Sequence, residues 1–388
     1  MTETTAPESS QVQPAYGRLS VLSWAHFLND GAANYLPGIL PAILMSMGLS
    51  ASFAGILMGA LVVGQGLQPF TGLLADRVGG RSFTVIGLGG GSIAAALIAF
   101  APNLWTLSLV LIVLGTANSL FHPQTLSAVR HVSGERHGMG MAVFMIGGEI
   151  GRGVWPLAAS ILVTAWGLGK IWILGIPGLL TLPFLWRAAT PLPRRKAGTG
   201  QVQWHAHLKP LSIVVLFSGL RGILLYAVTA YVPVLWNLRG GSLAGGAAFI
   251  TTLMIVGLIG NTLGGHIGDR KGRRSVIAIG STVAILGMIA FMVVDGIWMW
   301  LMIATVGIGL FATFPLTIVI AQDIVPENRS FGSGMALGLA NAMGALGVMA
   351  LGPVAGEWGV PAALWVSILI GALSIPLLWL LPEKHYGA

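Results

Sequence analysis

A ten-residue pattern occurs twice in this chain. Gly72, Asp76, Arg77, Gly79 and Arg81 recur as Gly265, Asp269, Arg270, Gly272 and Arg274, each pair 193 residues apart (269 minus 76), and half of the 388-residue length is 194. The repeat extends further. Arg136 maps onto Arg329 at the same offset, Gly140-Met141-Ala142 maps onto Gly334-Met335-Ala336, and His122-Pro123 runs parallel to Phe314-Pro315. The chain reads as one unit written twice. Each copy sets its short charged loop between long apolar runs, so the fold must be built from two similar halves.

Charged residues are 8% of the chain and hydrophobic ones 55%, where a soluble protein has about 25% charged. Apolar runs of about 20 residues recur, each long enough for a hydrocarbon core about 30 Å thick. The class is all-α integral membrane protein. The alternation of a membrane barrel is absent. The 56 glycines suit membrane helices packed backbone to backbone. With no cysteine, disulfides, thiol chemistry and thiolate metal sites are excluded. The net charge of +8 is not read as a nucleic-acid signal, because the basic residues stand in short loops that set topology.

Twelve spans follow: 18–44, 51–74, 82–100, 104–128, 137–165 and 168–187, then 209–237, 243–266, 275–295, 298–322, 330–357 and 360–382. Residues 188–208, rich in Pro, Gly and Arg, form a linker between two six-helix halves, 18–187 and 209–382. Residues 1–17 hold Glu3 and Glu8 and no basic residue, so they read as a disordered tail, not a signal peptide; 383–388 form a second tail. Sixteen Lys and Arg fall on the side that carries the linker, against only Lys170 and Arg239 on the other. That side is expected to be cytoplasmic, with both termini, in the cell (inner) membrane. A duplicated membrane half with a charged hinge points to a transporter rather than an enzyme. No ATPase-type phosphate loop is present, so the expected driving force is an ion gradient or the substrate's own. The partners implied are a small-molecule substrate, protons and the lipid bilayer, with no cofactor, no metal and no nucleic acid, and with the monomer as the working unit.

The loop Gly72–Arg81, the linker and the duplication resemble the major facilitator superfamily. Within it, Phe121-His122-Pro123, the run Gly134 to Gly138, Gly147-Gly148, and His26-Phe27-Leu28-Asn29-Asp30 look like the fosmidomycin-resistance exporters. The resemblance implies two six-helix halves that rock around a mid-membrane cavity, lined by the first, fourth, seventh and tenth spans and bordered by the fifth. It also implies that Asp76 and Asp269 face helix ends and, with Gly72, Arg77, Arg81, Gly265, Arg270 and Arg274, hold the cytoplasmic side shut, an attraction of about 0.3–1 kcal/mol per carboxylate. Gly72 and Gly265 are expected to allow close helix approach. Two departures stand out: Trp155 precedes Pro156 where the antiporter pattern has Gly, and the fourth span has no arginine before Arg130.

Ionisable groups inside a membrane default to function. His26, Asp30 and Asn34 form an i, i+4, i+8 stripe on the first span. Asn118 and His122 are i, i+4 on the fourth, and Glu149 and Arg152 are i, i+3 on the fifth. Arg221 lies in the seventh. Each has a plainer reading: neutral packing histidines, a structural Glu149–Arg152 pair, an Arg221 that snorkels to the interface. Asp30 is the first candidate for the proton-carrying group and Glu149 the second. Protonating a carboxylate frees an arginine, which by itself gives proton–anion symport. Antiport follows when proton and substrate compete. The family resemblance favours export of a small drug-like, anionic or zwitterionic compound; import by symport is the alternative. A non-transporting receptor or scaffold is a reading of another class, opposed by the intact signature loops.

Overall fold

The computed structural model describes residues 15–134, 136–191, 204–326 and 329–380, and leaves aside the side chains at 69, 76, 137, 138, 204–206 and 329–331. The expected tails and residues 192–203 of the expected linker lie outside or almost outside the described residues, as does Glu135. Every regular element among the described residues is a helix.

Among the described residues the helices group into twelve: α1 (Tyr16–Asn34, continued by Leu36–Ser46), α2 (Ser52–Gln65 and Gln68–Val78), α3 (Ser82–Leu97), α4 (Leu104–Val132), α5 (His137–Trp166), α6 (Leu168–Gly175 and Ile176–Ala188), α7 (Trp204–Leu238), α8 (Leu243–Lys271), α9 (Arg273–Val293), α10 (Ile297–Ala312 and Phe314–Ile324), α11 (Arg329–Gly334, a π turn Met335–Leu339, and Ala340–Glu357) and α12 (Gly359–Ser374 and Ile375–Leu380). Ten are long and apolar enough to cross a membrane. The other two are α1, broken at Tyr35, and α5, which carries Glu149 and Arg152. Helix α7 begins at Trp204, inside the stretch expected to be linker.

Prolines and glycines shape the helices. Pro37 lacks an N–H and so leaves the Ala33 carbonyl without its helical partner, and α1 breaks just before it. Pro315 follows the break in α10 at Thr313 in the same way. Gly79 and Gly272, paired by the repeat, both take positive φ (68° and 90°) at the turns after α2 and α8, a conformation that glycine adopts without penalty. Asn103 and Ser242 cap α4 and α8 by accepting from the N–H of Thr106 and Gly245.

The duplication is visible in the packing. In each half the first helix lies on the fifth, and the second and third on the fourth (α1 on α5, α2 and α3 on α4; α7 on α11, α8 and α9 on α10). A Cβ on Gly64 would overlap the Ile112 carbonyl and one on Gly115 the Leu61 carbonyl; in the second half Gly307 stands as close to the Leu253 carbonyl. At Gly72 and Gly265 the helices meet through proline rings rather than backbone to backbone. A Cβ there would meet the Pro123 and Pro315 rings at 3.5 and 3.8 Å, ordinary contact. Within each half, the α2 and α8 glycines that come closest to neighbouring backbone are Gly64, Gly260 and Gly264.

The loops that carry the basic residues meet at one end. Arg81 lies over the Trp186 ring (4.1 Å) and Arg274 over Trp379 (4.9 Å), again 193 residues apart, and Arg273 pairs with Asp323. The halves join at the opposite end, where α2 packs on α11 and α5 on α8: a Cβ on Gly55 would overlap the Val348 carbonyl, one on Gly153 the Ile255 side chain. The basic ends of α2 and α11 barely touch. The cleft between the halves therefore opens toward the basic end.

Candidate functional site

The site begins with three glycines. Gly147, Gly148 and Gly151 bring α5 so near α1 that Cβ atoms there would overlap the Ser23 carbonyl, the His26 ring and the Phe27 carbonyl. His26 occupies the room left by Gly148. Its ring stacks on Phe144 at 4.0 Å, and its Nδ1 lies 2.8 Å from the Phe144 carbonyl oxygen. The unexpected Trp155 has a similar explanation: its indole lies on Gly31, where any Cβ would strike it. Gly31 thus accommodates the bulk that Trp155 brings.

Asp30, one turn beyond His26, gathers the cluster. Its Oδ1 accepts from Asn29 Nδ2 (3.2 Å) and Asn118 Nδ2 (3.1 Å) and faces His122 Nε2 at 3.1 Å. Its Oδ2 accepts from Arg152 NH2 (2.9 Å) and faces His26 Nε2 at 3.3 Å. The two histidines also face each other, Nε2 to Nε2 at 3.3 Å. His122 Nδ1 lies 2.9 Å from the Asn118 carbonyl oxygen. Asn34, expected in the same stripe, turns back and donates to the Asp30 backbone carbonyl (2.8 Å).

Arg152 links the two acids. NH2 holds Asp30, and NH1 stands 3.3 Å from Glu149 Oε1; Glu149 Oε2 is buried without a hydrogen-bond partner. Side-chain exposure rises outward, from 1% for His26 and 2% for Asp30 through 9% for Glu149 and 15% for His122 to 28% for Arg152. Arg152 therefore faces the cleft, with the carboxylate and His26 sealed beneath.

The second half contributes Arg221, which is 5% exposed and does not snorkel. Its NH1 donates to Thr313 Oγ1 (2.6 Å) at the break in α10, and its guanidinium lies 3.7 Å over the Phe314 ring, an arrangement that stabilises a desolvated cation. Nε of Arg221 has no partner, and no carboxylate among the described residues pairs with it. Tyr226 stands close enough to feel both Arg152 and Arg221. Asp30 itself pairs directly with Arg152.

The structure thus brings together His26, Asp30, His122, Glu149 and Arg152, sets Arg221 across the cleft, and leaves Asn34 aside. The loop residues Arg77, Arg81, Asp269, Arg270 and Arg274 stand at the basic end, with Arg77, Asp269 and Arg270 exposed; the side chain of Asp76 lies outside the described residues. Sequence reasoning missed Asn29, Tyr226 and Thr313. Asn29 sat beside Asp30 in the quoted string. Tyr226 had a signal too: setting Tyr35-Leu36-Pro37 on Tyr231-Val232-Pro233 puts it opposite Asp30.

The profile of the Major Facilitator Superfamily matches residues 22–336, and the chain belongs to that family. It is similar to the fosmidomycin resistance protein of Escherichia coli (strain K12), 24% identical over 98% of this chain and 96% of the relative. It is also similar to YfnC of Bacillus subtilis (strain 168), described as an uncharacterized MFS-type transporter, at 25% over 95% and 94%. Among solved structures, an inward-facing, occupied bacterial homolog of the human lysosomal transporter Spinster superposes with a TM-score of 0.80 at 16% identity, over 95% of this chain and 98% of that one. The nucleoside transporter NupG superposes at 0.77 with 17% identity, over 94% and 98%. The chain is a multi-pass membrane transporter with the major facilitator fold, not an enzyme.

Proposed function

We propose that this transporter exports a small drug-like, anionic or zwitterionic organic compound in exchange for protons, by alternating access. The observation that carries the reading is Arg152, shared between Asp30 and Glu149 and partly open to the cleft. A proton arriving at the Asp30 cluster weakens the hold of Asp30 on Arg152, and the site's charge then changes with protonation. Arg221, buried without a carboxylate partner, suits the anionic end of a substrate. The relatives named for fosmidomycin and multidrug resistance support the outward direction.

A second reading has its own support. Freeing Arg152 by protonation makes an anion and a proton bind together, which is symport. Proteoliposomes given fosmidomycin under an imposed pH gradient separate the readings. Antiport accumulates the compound when the interior is acidic, symport when the exterior is acidic, and a receptor or scaffold accumulates nothing in either.

In this reading the halves 18–187 and 209–382 rock as units about the linker 188–208, and the loops with Asp76 and Asp269 close the cytoplasmic side. The protein sits in the cell (inner) membrane as a monomer with both termini cytoplasmic. A cysteine in place of Thr199 is then labelled only from the cytoplasm; labelling from outside sealed cells contradicts the topology.

A further inference from the structure

We propose that the coupled proton resides on the His26–His122 pair, shared between the two Nε2 atoms, and not on the Asp30 carboxylate. This rests on the proton-coupling reading above and names the atoms that carry it out.

A carbonyl oxygen only accepts. Both histidines point Nδ1 at a backbone carbonyl, His26 at Phe144 and His122 at Asn118, so both carry hydrogen on Nδ1. In the neutral state each then has a bare lone pair on Nε2. These lone pairs face each other at 3.3 Å and face Asp30 at 3.3 and 3.1 Å. Without a proton, acceptors converge on acceptors in a site 1–2% exposed at its floor, an arrangement that burial makes costly.

Asp30 is already well supplied with donors. An ionised carboxylate offers about four lone-pair sites, and Asn29, Asn118 and Arg152 already donate to them. That leaves about one carboxylate site and two bare Nε2 atoms. A proton on either donates to Asp30 and to the other ring at once. Charge points to the same occupancy. Arg152, bonded to Oδ2, favours the ionised form of Asp30, which leaves the added proton to the imidazoles.

The groups that face the pair are few. Asp30 comes from its own helix, Glu149 and Arg152 from α5, and across the cleft Tyr226 and Arg221 come from α7. Arg152, 2.9 Å from Oδ2, sets a fixed cation beside the pair; it favours a single proton over a divalent cation, although His26, Asp30 and His122 have a spacing a metal could use. His122, at 15% side-chain exposure, is the entry, taking the proton from cleft water onto Nε2, and His26 is the inner partner.

The test is nitrogen NMR of the full chain labelled with ¹⁵N-histidine in lipid nanodiscs, followed between pH 5 and 9. It requires no substrate, so its failure is distinct from failure of the transport reading. His26→Asn and His122→Asn assign the two rings; if one variant does not fold, the other assigns both through the cross-peak that a 3.3 Å contact produces. The expected result is Nδ1 protonated in both rings at every pH, and the two Nε2 signals moving together in one transition that takes up one proton. In Asp30→Asn no imidazolium should appear over the same range. Two independent transitions, or Nε2 bare throughout with proton uptake lost only in Glu149→Gln, overturn the proposal. So does a pair of Nε2 shifts that change when a chelator strips zinc from the protein.

Discussion

On α1 and α4 the first half carries His26, Asp30 and His122. The second half carries Gly222, Tyr226 and Phe314 at the corresponding positions, when the Tyr-x-Pro strings and the His122-Pro123 and Phe314-Pro315 pairs are superposed. Helix α5 holds Glu149 and Arg152, whereas α11 has no charged residue between Arg329 and Glu357. The scaffolds nevertheless match, down to the Arg81–Trp186 and Arg274–Trp379 contacts. Even the space-making device is shared: a Cβ on Gly148 would strike His26, and one on Gly344 would come within 2.9 Å of the Tyr226 ring. The fold is set by glycines, prolines and apolar stripes that both copies retain. The chemistry is set by a few polar residues placed in one copy, in room that glycine provides. Arg221 is the one charge buried among the described residues of the second half, and it faces the cluster of the first.

If coupling belongs to the first half, substitutions there and at the matching positions should differ sharply. Asp30→Asn should reduce pH-gradient-driven fosmidomycin accumulation to the level of empty liposomes, while downhill exchange persists. Tyr226→Phe, its counterpart, should slow transport and leave accumulation coupled. Equal loss in both would break the comparison. Glu149→Gln comes next. Arg152 keeps its bond to Asp30, so the ratio of transport with and without the gradient should hold, while half-saturation weakens about tenfold, equivalent to about 1.4 kcal/mol.

A smaller effect separates required glycines from incidental ones. Gly148→Ala pushes a methyl into the His26 ring and should lower stability by about 1–3 kcal/mol. Gly72→Ala meets only the Pro123 ring at 3.5 Å and should stay within about 0.5 kcal/mol. Thermal unfolding in detergent reads both. The smallest effect is the symmetric one. Arg81→Gln and Arg274→Gln should each cost about 0.5–1 kcal/mol of cation–π stabilisation, alike in the two halves; a large difference between them would show that the signature loops are not equivalent.

Much of this was legible in the sequence, because duplication and apolar runs are properties of the whole chain. The spans, the repeat and the candidates His26, Asp30, His122, Glu149 and Arg152 came from spacing and from the scarcity of buried charge. Spacing could not say which charge meets which. It placed Asn34 with the Asp30 carboxylate because i, i+4 positions share a helix face, yet Asn34 donates to the Asp30 backbone carbonyl instead. Nor could it show that Gly147, Gly148 and Gly151 draw α5 onto α1 and bring Arg152 to Asp30. Trp155 read as a departure from the family pattern until Gly31 was seen beneath its indole.

The central claim is that a proton held in the cluster around Asp30, beside Arg152, is exchanged for substrate. It is tested most directly by adding fosmidomycin to the purified protein in weakly buffered detergent and following the pH. Wild type should release up to about one proton per compound bound, since linked ligands displace each other reciprocally. Tyr226→Phe should do the same, and Asp30→Asn should release none. Release from Asp30→Asn equal to wild type, or proton uptake by wild type, would contradict the account.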